Sequence, residues 1–347
     1  MTVQCPTPHH DDEVVLLGHG AGGRLTAELL EQLVLPALDG EPGPLEDAAL
    51  LPGYRELVIS TDSFVVSPLF FPGGDIGSLA VHGTVNDLAM RGAWPIALSV
   101  SLIVEEGLPL SELRAVLGSL GKAAQAVGVP VVTGDTKVVG RGAADRLFVN
   151  TTGVGQRHGS LHPSAALARP GDAVLLSGPI GLHGTTVLST REGLGFESDI
   201  ASDTRPLHRL VRALTPLGAD VHVLRDPTRG GLAAALNEIA RDSSVAVEIE
   251  EGAVPVPGAV AAACDLLGLD PLIVANEGCL VAFVAAGSAE EALGAMRSVA
   301  EGVAAVRIGE VLPEGSGGPG GRVTLRTLVG ARRIVEMPLG EQLPRIC

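Results

Sequence analysis

Apolar residues recur at two periods along this chain, and the alternation between them outlines the fold. Near the start, Leu25, Leu29, Leu33 and Leu30, Val34 fall at helical spacing after a glycine-rich loop, and Pro36 ends the run. Strands are predicted over 57–60, 96–104, 129–132 and 147–154. Between them, the small-residue segment 75–90 reads as a helix. So does a run with Leu113, Val116, Leu117, Leu120 and Val127, capped by Ser111. Residues 155–171 gather prolines, glycines and histidines and read as a linker. Beyond it, strands at 173–177, 221–224, 245–249, 272–274, 280–284, 303–311 and 323–328 mix with helices at 205–214, 232–241 and 259–267. A last helix runs from Ser288 to about 301. No strict strand–helix–strand repeat emerges. The pattern therefore predicts two α+β domains rather than a dinucleotide-binding sheet. Their expected bounds are 1–156 and 157–338, followed by a proline-containing tail over 339–347.

Composition narrows the function classes. The 347 residues, 46% hydrophobic and 18% charged, suit a globular protein with a sizeable core. A net charge of −16 repels polyanions, which argues against nucleic-acid backbones and anionic membranes as partners. Six Phe, one Tyr and one Trp are too few for base-stacking platforms or membrane belts. The longest run without Asp, Glu, Lys or Arg, 173–190, contains Gly178, Pro179, Gly181 and Gly184, a poor membrane helix. Residues 1–13 lack a basic-then-apolar leader, so a cytoplasmic location is expected. Cys5, Cys264, Cys279 and Cys347 form no CxxC pair, which disfavours a zinc ribbon or disulfide framework.

Candidate chemistry lies at strand ends. Asp47, Asp62, Asp87, Asp135 and Asp226 sit among small neighbours, where short carboxylates could share a magnesium ion with phosphate oxygens. Each could equally cap a turn or helix. Lys137 is one of only two lysines beside an arginine-rich remainder, which suggests a compact point charge, or a plain surface pair with Asp135. The Gly-His-Gly-Ala-Gly-Gly-Arg loop at 18–24 could wrap phosphates with backbone N–H groups or be an ordinary loop. Glu277, between two apolar runs, is either a solvated loop residue or a buried base. Cys347 ends the chain, which places a thiol on an arm.

Together these stretches resemble the carbamoyl dehydratase family of nickel–iron hydrogenase maturation, essentially from Gly18 to Cys347. The likeness is carried by 18–24, by Ser-Thr-Asp-Ser-Phe-Val-Val-Ser-Pro-Leu-Phe-Phe-Pro-Gly-Gly at 60–74 and by Gly-Thr-Val-Asn-Asp-Leu-Ala at 83–89. Further on it rests on Thr-Gly-Asp-Thr-Lys-Val-Val at 133–139, Arg-Asp-Pro-Thr-Arg-Gly-Gly at 225–231, Ala-Asn-Glu-Gly at 275–278 and the terminal Pro-Arg-Ile-Cys. The resemblance implies a two-domain aminoimidazole ribonucleotide synthetase-like fold, a homodimer whose N-terminal sheets close a barrel, and a flexible C-terminal tail. It implies ATP and Mg²⁺, with Asp47, Asp62, Asp87 and Asp226 as the metal positions. Gly20, Gly22, Gly23, Asp62, Asn86, Asp135, Thr136, Asn150 and Arg229 would contact the nucleotide. Glu277, Lys137 and Cys347 would carry the chemistry. A partner carbamoyltransferase would load Cys347, dehydration would give a thiocyanate, and an iron scaffold complex would receive the cyanide. The rivals are a selenophosphate synthetase-type enzyme, which the absence of a thiol in the 18–24 loop disfavours, and a non-catalytic module that presents the tail.

Overall fold

A computed structural model describes residues 23–29, 49–51, 56–157, 159–193, 200–313, 320–340, 343 and 345–347. Helix α1 (Arg24–Leu29) precedes a five-stranded sheet. Its strands are β1 (Ala49–Leu51), β2 (Leu57–Phe64), β5 (Ala93–Glu105), β6 (Val131–Val139) and β7 (Leu147–Arg157), in the order β1-β2-β7-β5-β6. All pairs are antiparallel except β5 with β6. A small ribbon of β3 (Phe70–Phe71) and β4 (Gly74–Asp75) leads into α2 (Ile76–Met90). Along β7 buried and half-buried positions alternate, as expected of a sheet with one covered face. The cover is α2 and α3 (Leu110–Val127). Asp75 caps α2 by accepting from the Gly77 and Ser78 amides at 2.8 and 2.9 Å. Gly77 lets α2 lie against α3, because a Cβ there would sit 2.3 Å from the Val116 carbonyl oxygen.

The second sheet has seven strands: β8 (Ala173–Leu176), β9 (Val221–Arg225), β10 (Ala246–Glu250), β11 (Val281–Val284), β12 (Val306–Val311), β13 (Arg322–Arg326) and β14 (Arg332–Ile334). They run β14-β13-β10-β12-β8-β11-β9. Its helices are α4 (Leu182–Glu192), α5 (His208–Leu214), α6 (Gly231–Asp242), α7 (Gly258–Leu267) and α8 (Ala289–Arg297). Central strands β8 and β11 are buried on both faces. Val174, Leu176, Val281 and Phe283 join a core with α6, while Ala173, Leu175, Ala282 and Val284 join one with α5 and α8. Ala89 and Met90, at the end of α2, enter the second of these cores and tie the two halves together.

Several expectations are corrected. Residues 272–274 form no strand; Pro271–Ile273 is a single 3₁₀ turn that Asp270 caps through the Leu272 amide. Pro109, not Ser111, occupies the N-cap of α3, with no side-chain bond. Ser288 does occupy the N-cap of α8, but its hydroxyl donates to Asp220 instead of the helix end, and α8 stops at Arg297. The predicted strand at 129–132 shifts and extends to Val139, so Gly134 to Lys137 lie within β6. Strand β7 runs into the expected linker as far as Arg157. Helix α4 escaped the pattern because its hydroxyls, from Thr186, Ser189 and Thr190, fold back onto carbonyls four residues earlier rather than marking an apolar stripe.

Candidate active site

The site lies where β2, the β9–α6 loop and the loop before β11 converge. Asp62 lies on β2, and Asp87 on α2 accepts from the Ser60 hydroxyl at 2.6 Å. The loop after β9 turns sharply, with the Gly231 amide donating to the Thr228 carbonyl at 2.9 Å. Gly231 is needed there: its φ is +62° and a Cβ would sit 2.5 Å from the Leu272 carbonyl oxygen. Asn276, fully buried, locks this loop to the next. It donates to the Pro227 and Val274 carbonyls at 2.9 and 3.0 Å and accepts from the Gly181 amide at 2.7 Å. Asp226 and Glu277, 5% and 3% exposed, are thereby held close enough to repel each other.

Electrostatics follow from that crowding. Burial, then Asp226, Asp62 and Asp203, pushes Glu277 well above the usual carboxylate range, and Arg229 opposes the shift. Burial raises Asp226 to about 6, opposed by Arg225 and helped by Asp62. Asp62 is raised by burial against the pull of Arg229. Arg229 is the cation of the group; Cys347, Asp62, Glu277 and Asp87 all raise its value.

The end of the chain lies in this site. The Val65 amide donates to the Cys347 carbonyl at 3.1 Å and the Ser67 amide to the Arg345 carbonyl at 3.3 Å. Arg345 donates from Nε to the Val65 carbonyl at 3.0 Å and pairs with Asp145. Arg191 donates to the carbonyls of Ser67 and Arg345 at 2.8 and 2.6 Å. His183 Nε2 lies 2.9 Å from the Ile346 carbonyl oxygen. Ile346 is buried in the first sheet's core and half-buried Cys347 packs on it. Burial and Glu277 push the Cys347 thiol far up, against the pull of Arg229, which favours the neutral thiol over the thiolate in the docked tail.

The structure thus brings Asp62, Asp87, Asp226, Arg229, Glu277 and Cys347 together. Asn150 on β7 lies alongside, donating to the Asp62 carbonyl at 2.8 Å. Asn86 turns inward: its amide accepts from the Leu207 amide and donates to the Arg205 and Glu277 carbonyls. Gly23 packs at the root of the tail, where a Cβ would sit 2.2 Å from the Pro338 carbonyl oxygen. Gly20, Gly22 and Asp47 lie outside the described residues. Asp135, Thr136 and Lys137 stand apart. They occupy exposed edge strand β6, three strand spacings (about 14 Å) from β2. Lys137 pairs there with Asp135 at 2.8 Å. Among the described residues, no three His, Cys, Asp or Glu side chains cluster as a metal site. The donors fit magnesium in another way: Asp62 and Asp226 are crowded carboxylates, and Mg²⁺ commonly takes one or two of these plus phosphate oxygens and water. Sequence reasoning passed over His183, Arg191, Ser202 and Asp203, which lie in segments without periodicity.

The geometry can be compared with known proteins. Residues 45–156 match the N-terminal domain of AIR synthase related proteins and 169–320 the C-terminal domain. Carbamoyl dehydratase HypE of Cupriavidus necator is 52% identical over 334 residues, 95% of this chain and 94% of the relative. The chain belongs to the HypE family of carbamoyl dehydratases. A crystal structure of the hydrogenase maturation protein HypE in complex with ATP aligns with a TM-score of 0.82 at 50% identity, covering 96% of this chain and 100% of that one. The HypE–HypF complex aligns with a TM-score of 0.85 at 47% identity, covering 89% and 99%. Family membership makes the two-domain α+β architecture that of the AIR synthase related proteins.

Proposed function

We propose that this chain is an ATP-dependent carbamoyl dehydratase of hydrogenase maturation whose substrate is carried on its own Cys347. The observation that supports this best is the docked C-terminus, which seats Cys347 near enough to Glu277 and Arg229 for both to shift its thiol. The thiolate is the nucleophile, and docking disfavours it, so loading takes place with the tail swung out to a carbamoyltransferase. The tail then returns as an S-carbamoyl cysteine. Glu277, whose raised value makes it a stronger base than an ordinary carboxylate, takes a proton from the amide nitrogen. The carbonyl oxygen attacks the γ-phosphorus of ATP, and ADP leaves. The second N–H proton passes to the departing phosphate as the C≡N bond forms, which leaves a thiocyanate on Cys347. Arg229 offsets charge on the transferring phosphoryl group. Asp62, Asp87 and Asp226 are the residues that would hold Mg²⁺, which supplies charge neutralisation for the phosphates when bound. The cyanide then passes to an iron scaffold complex.

Residues 1–156 serve as the nucleotide-binding and dimerisation domain, 157–338 as the second domain and 339–347 as the mobile arm, in a cytoplasmic homodimer. The dimer reading draws on β6, the edge strand of its sheet among the described residues, which exposes Val131, Val132 and Val138, an unusual surface for an edge left alone. Intact-mass analysis of the carbamoylated chain before and after Mg·ATP tests the function. Loss of one water at the C-terminal peptide is expected; an unchanged mass would sink the reading.

A further inference from the structure

Residues 201–207 carry no helix or strand, yet several of their polar groups bond to the elements around the site. The Ser202 amide donates to the Pro72 carbonyl at 2.8 Å. The Asp203 carboxylate accepts from the Glu277 and Gly278 amides at 3.1 and 3.0 Å. The Arg205 amide donates to the Glu277 carbonyl at 3.4 Å, and its Nε to the Gly278 carbonyl at 2.7 Å. Asn86 fastens the far end through Leu207 and Arg205. The fit is tight, since a Cβ on Gly278 would fall 1.7 Å from the Asp203 carbonyl oxygen. One segment therefore fixes the main chain of Glu277.

The same segment reaches the tail through His183, which is fully buried. The Ile346 carbonyl can only accept, so His183 Nε2 carries the proton of that 2.9 Å bond. Nδ1 must then accept from the Ser202 hydroxyl at 2.7 Å. The Ser202 oxygen in turn accepts from the Thr204 amide at 3.1 Å. This chain of donors fixes one tautomer and runs from the segment to the carbonyl one residue before Cys347. It reads the main chain, not a side chain, and so senses how far along the site the tail has advanced.

We propose that residues 201–207 with His183 form a gauge that sets the sulfur of Cys347 in register with Glu277, His183 being a positioning residue. The inference rests on Cys347 as the substrate carrier. Two contacts on one short segment, Asp203 to Glu277 and Ser202 through His183 to Ile346, make the base and the substrate share a reference point. A misplacement of about 1 Å can cost a reaction about 10²-fold.

The test uses the full chain in four forms: native, His183→Leu, His183→Gln and Ser202→Ala. The glutamine amide can stand in for Nε2–H, whereas leucine cannot. Two rates are read. One is iodoacetamide alkylation of Cys347 without nucleotide, scored at the C-terminal peptide. The other is single-turnover dehydration of the carbamoylated chain at saturating Mg·ATP. His183→Leu is expected to speed alkylation about tenfold and slow dehydration about 10²-fold. His183→Gln should recover most of both, and Ser202→Ala should fall between. Native-like alkylation in both His183→Leu and Ser202→Ala overturns the gauge. So does equal damage by leucine and glutamine, or faster alkylation with unchanged dehydration. If His183→Leu does not fold, Ser202→Ala decides by the same two rates. Should the native chain fail to dehydrate, the proposed function falls, while the alkylation rates still decide whether His183 holds the tail.

Discussion

At the residue scale, Glu277 and Cys347 show what sequence reasoning could and could not see. Ala-Asn-Glu-Gly left Glu277 open between solvated loop and buried base. The structure puts it at 3% exposure, facing Asp226 and Asp62. Burial depends on which loop packs opposite, and Asn276 settles that through contacts to residues 49 and 95 positions away. No local pattern carries such information. Replacing Glu277 by Gln is expected to slow dehydration by about 10²–10⁴-fold. The fold should not suffer. A carboxyl whose value is raised on folding opposes stability once pH exceeds its ordinary range, so the neutral amide should raise the urea midpoint at pH 7. A fall in that midpoint would show that the carboxylate is needed for packing. Gly278→Ala is the contrasting change. Its Cβ would collide with the Asp203 carbonyl, so a loss of at least about 2 kcal/mol in urea unfolding is expected, with dehydration lost in step.

At the scale of elements, legibility followed the covered faces. The alternation along β7 and the apolar runs of β8 and β11 were plain in the sequence because each packs on a continuous core. Helix α4, the 201–207 segment and the docked tail were not: hydroxyls folded back onto nearby carbonyls mask α4, and hydrogen bonds to partners distant in sequence hold the other two. The tail also has its own pH dependence. Burial raises the Cys347 thiol in the docked state, while a free thiol titrates near about 8.5. Docking therefore retains its full strength below about 8.5 and weakens as pH rises past it, by up to about tenfold per unit. Alkylation of Cys347, compared at each pH with a free peptide of the same tail, should show protection that is flat up to about pH 8 and then declines. Protection that grows with pH would mean the docked sulfur is a thiolate.

At the scale of the whole molecule, Lys137 poses the sharpest question, since the family resemblance gives it a part in the chemistry and the single chain holds it away from Glu277. Register explains the separation. Cross-strand partners share a face of a sheet. Asp62 pairs with Thr151, which is fully buried against the helices, whereas Lys137 pairs with Ile103, 43% exposed on the open side. The two residues thus point to opposite faces as well as lying on different strands. If the homodimer covers that open face, the Lys137 that serves a site belongs to the other copy. Mixed dimers of Lys137→Ala and Glu277→Gln chains, both carbamoylated, separate the cases. Each variant alone should be inactive. In the mixture, the Lys137→Ala chain keeps its own Glu277 and Cys347 and borrows Lys137 from its neighbour. The Glu277→Gln chain lacks its base and also faces an alanine. With Mg·ATP, water should be lost only from the Lys137→Ala chain, in the share of molecules that are mixed dimers. Intact mass distinguishes the two chains directly. A mixture as inactive as its parents would place Lys137 within its own chain's site, which would require β6 to move away from the sheet edge described above.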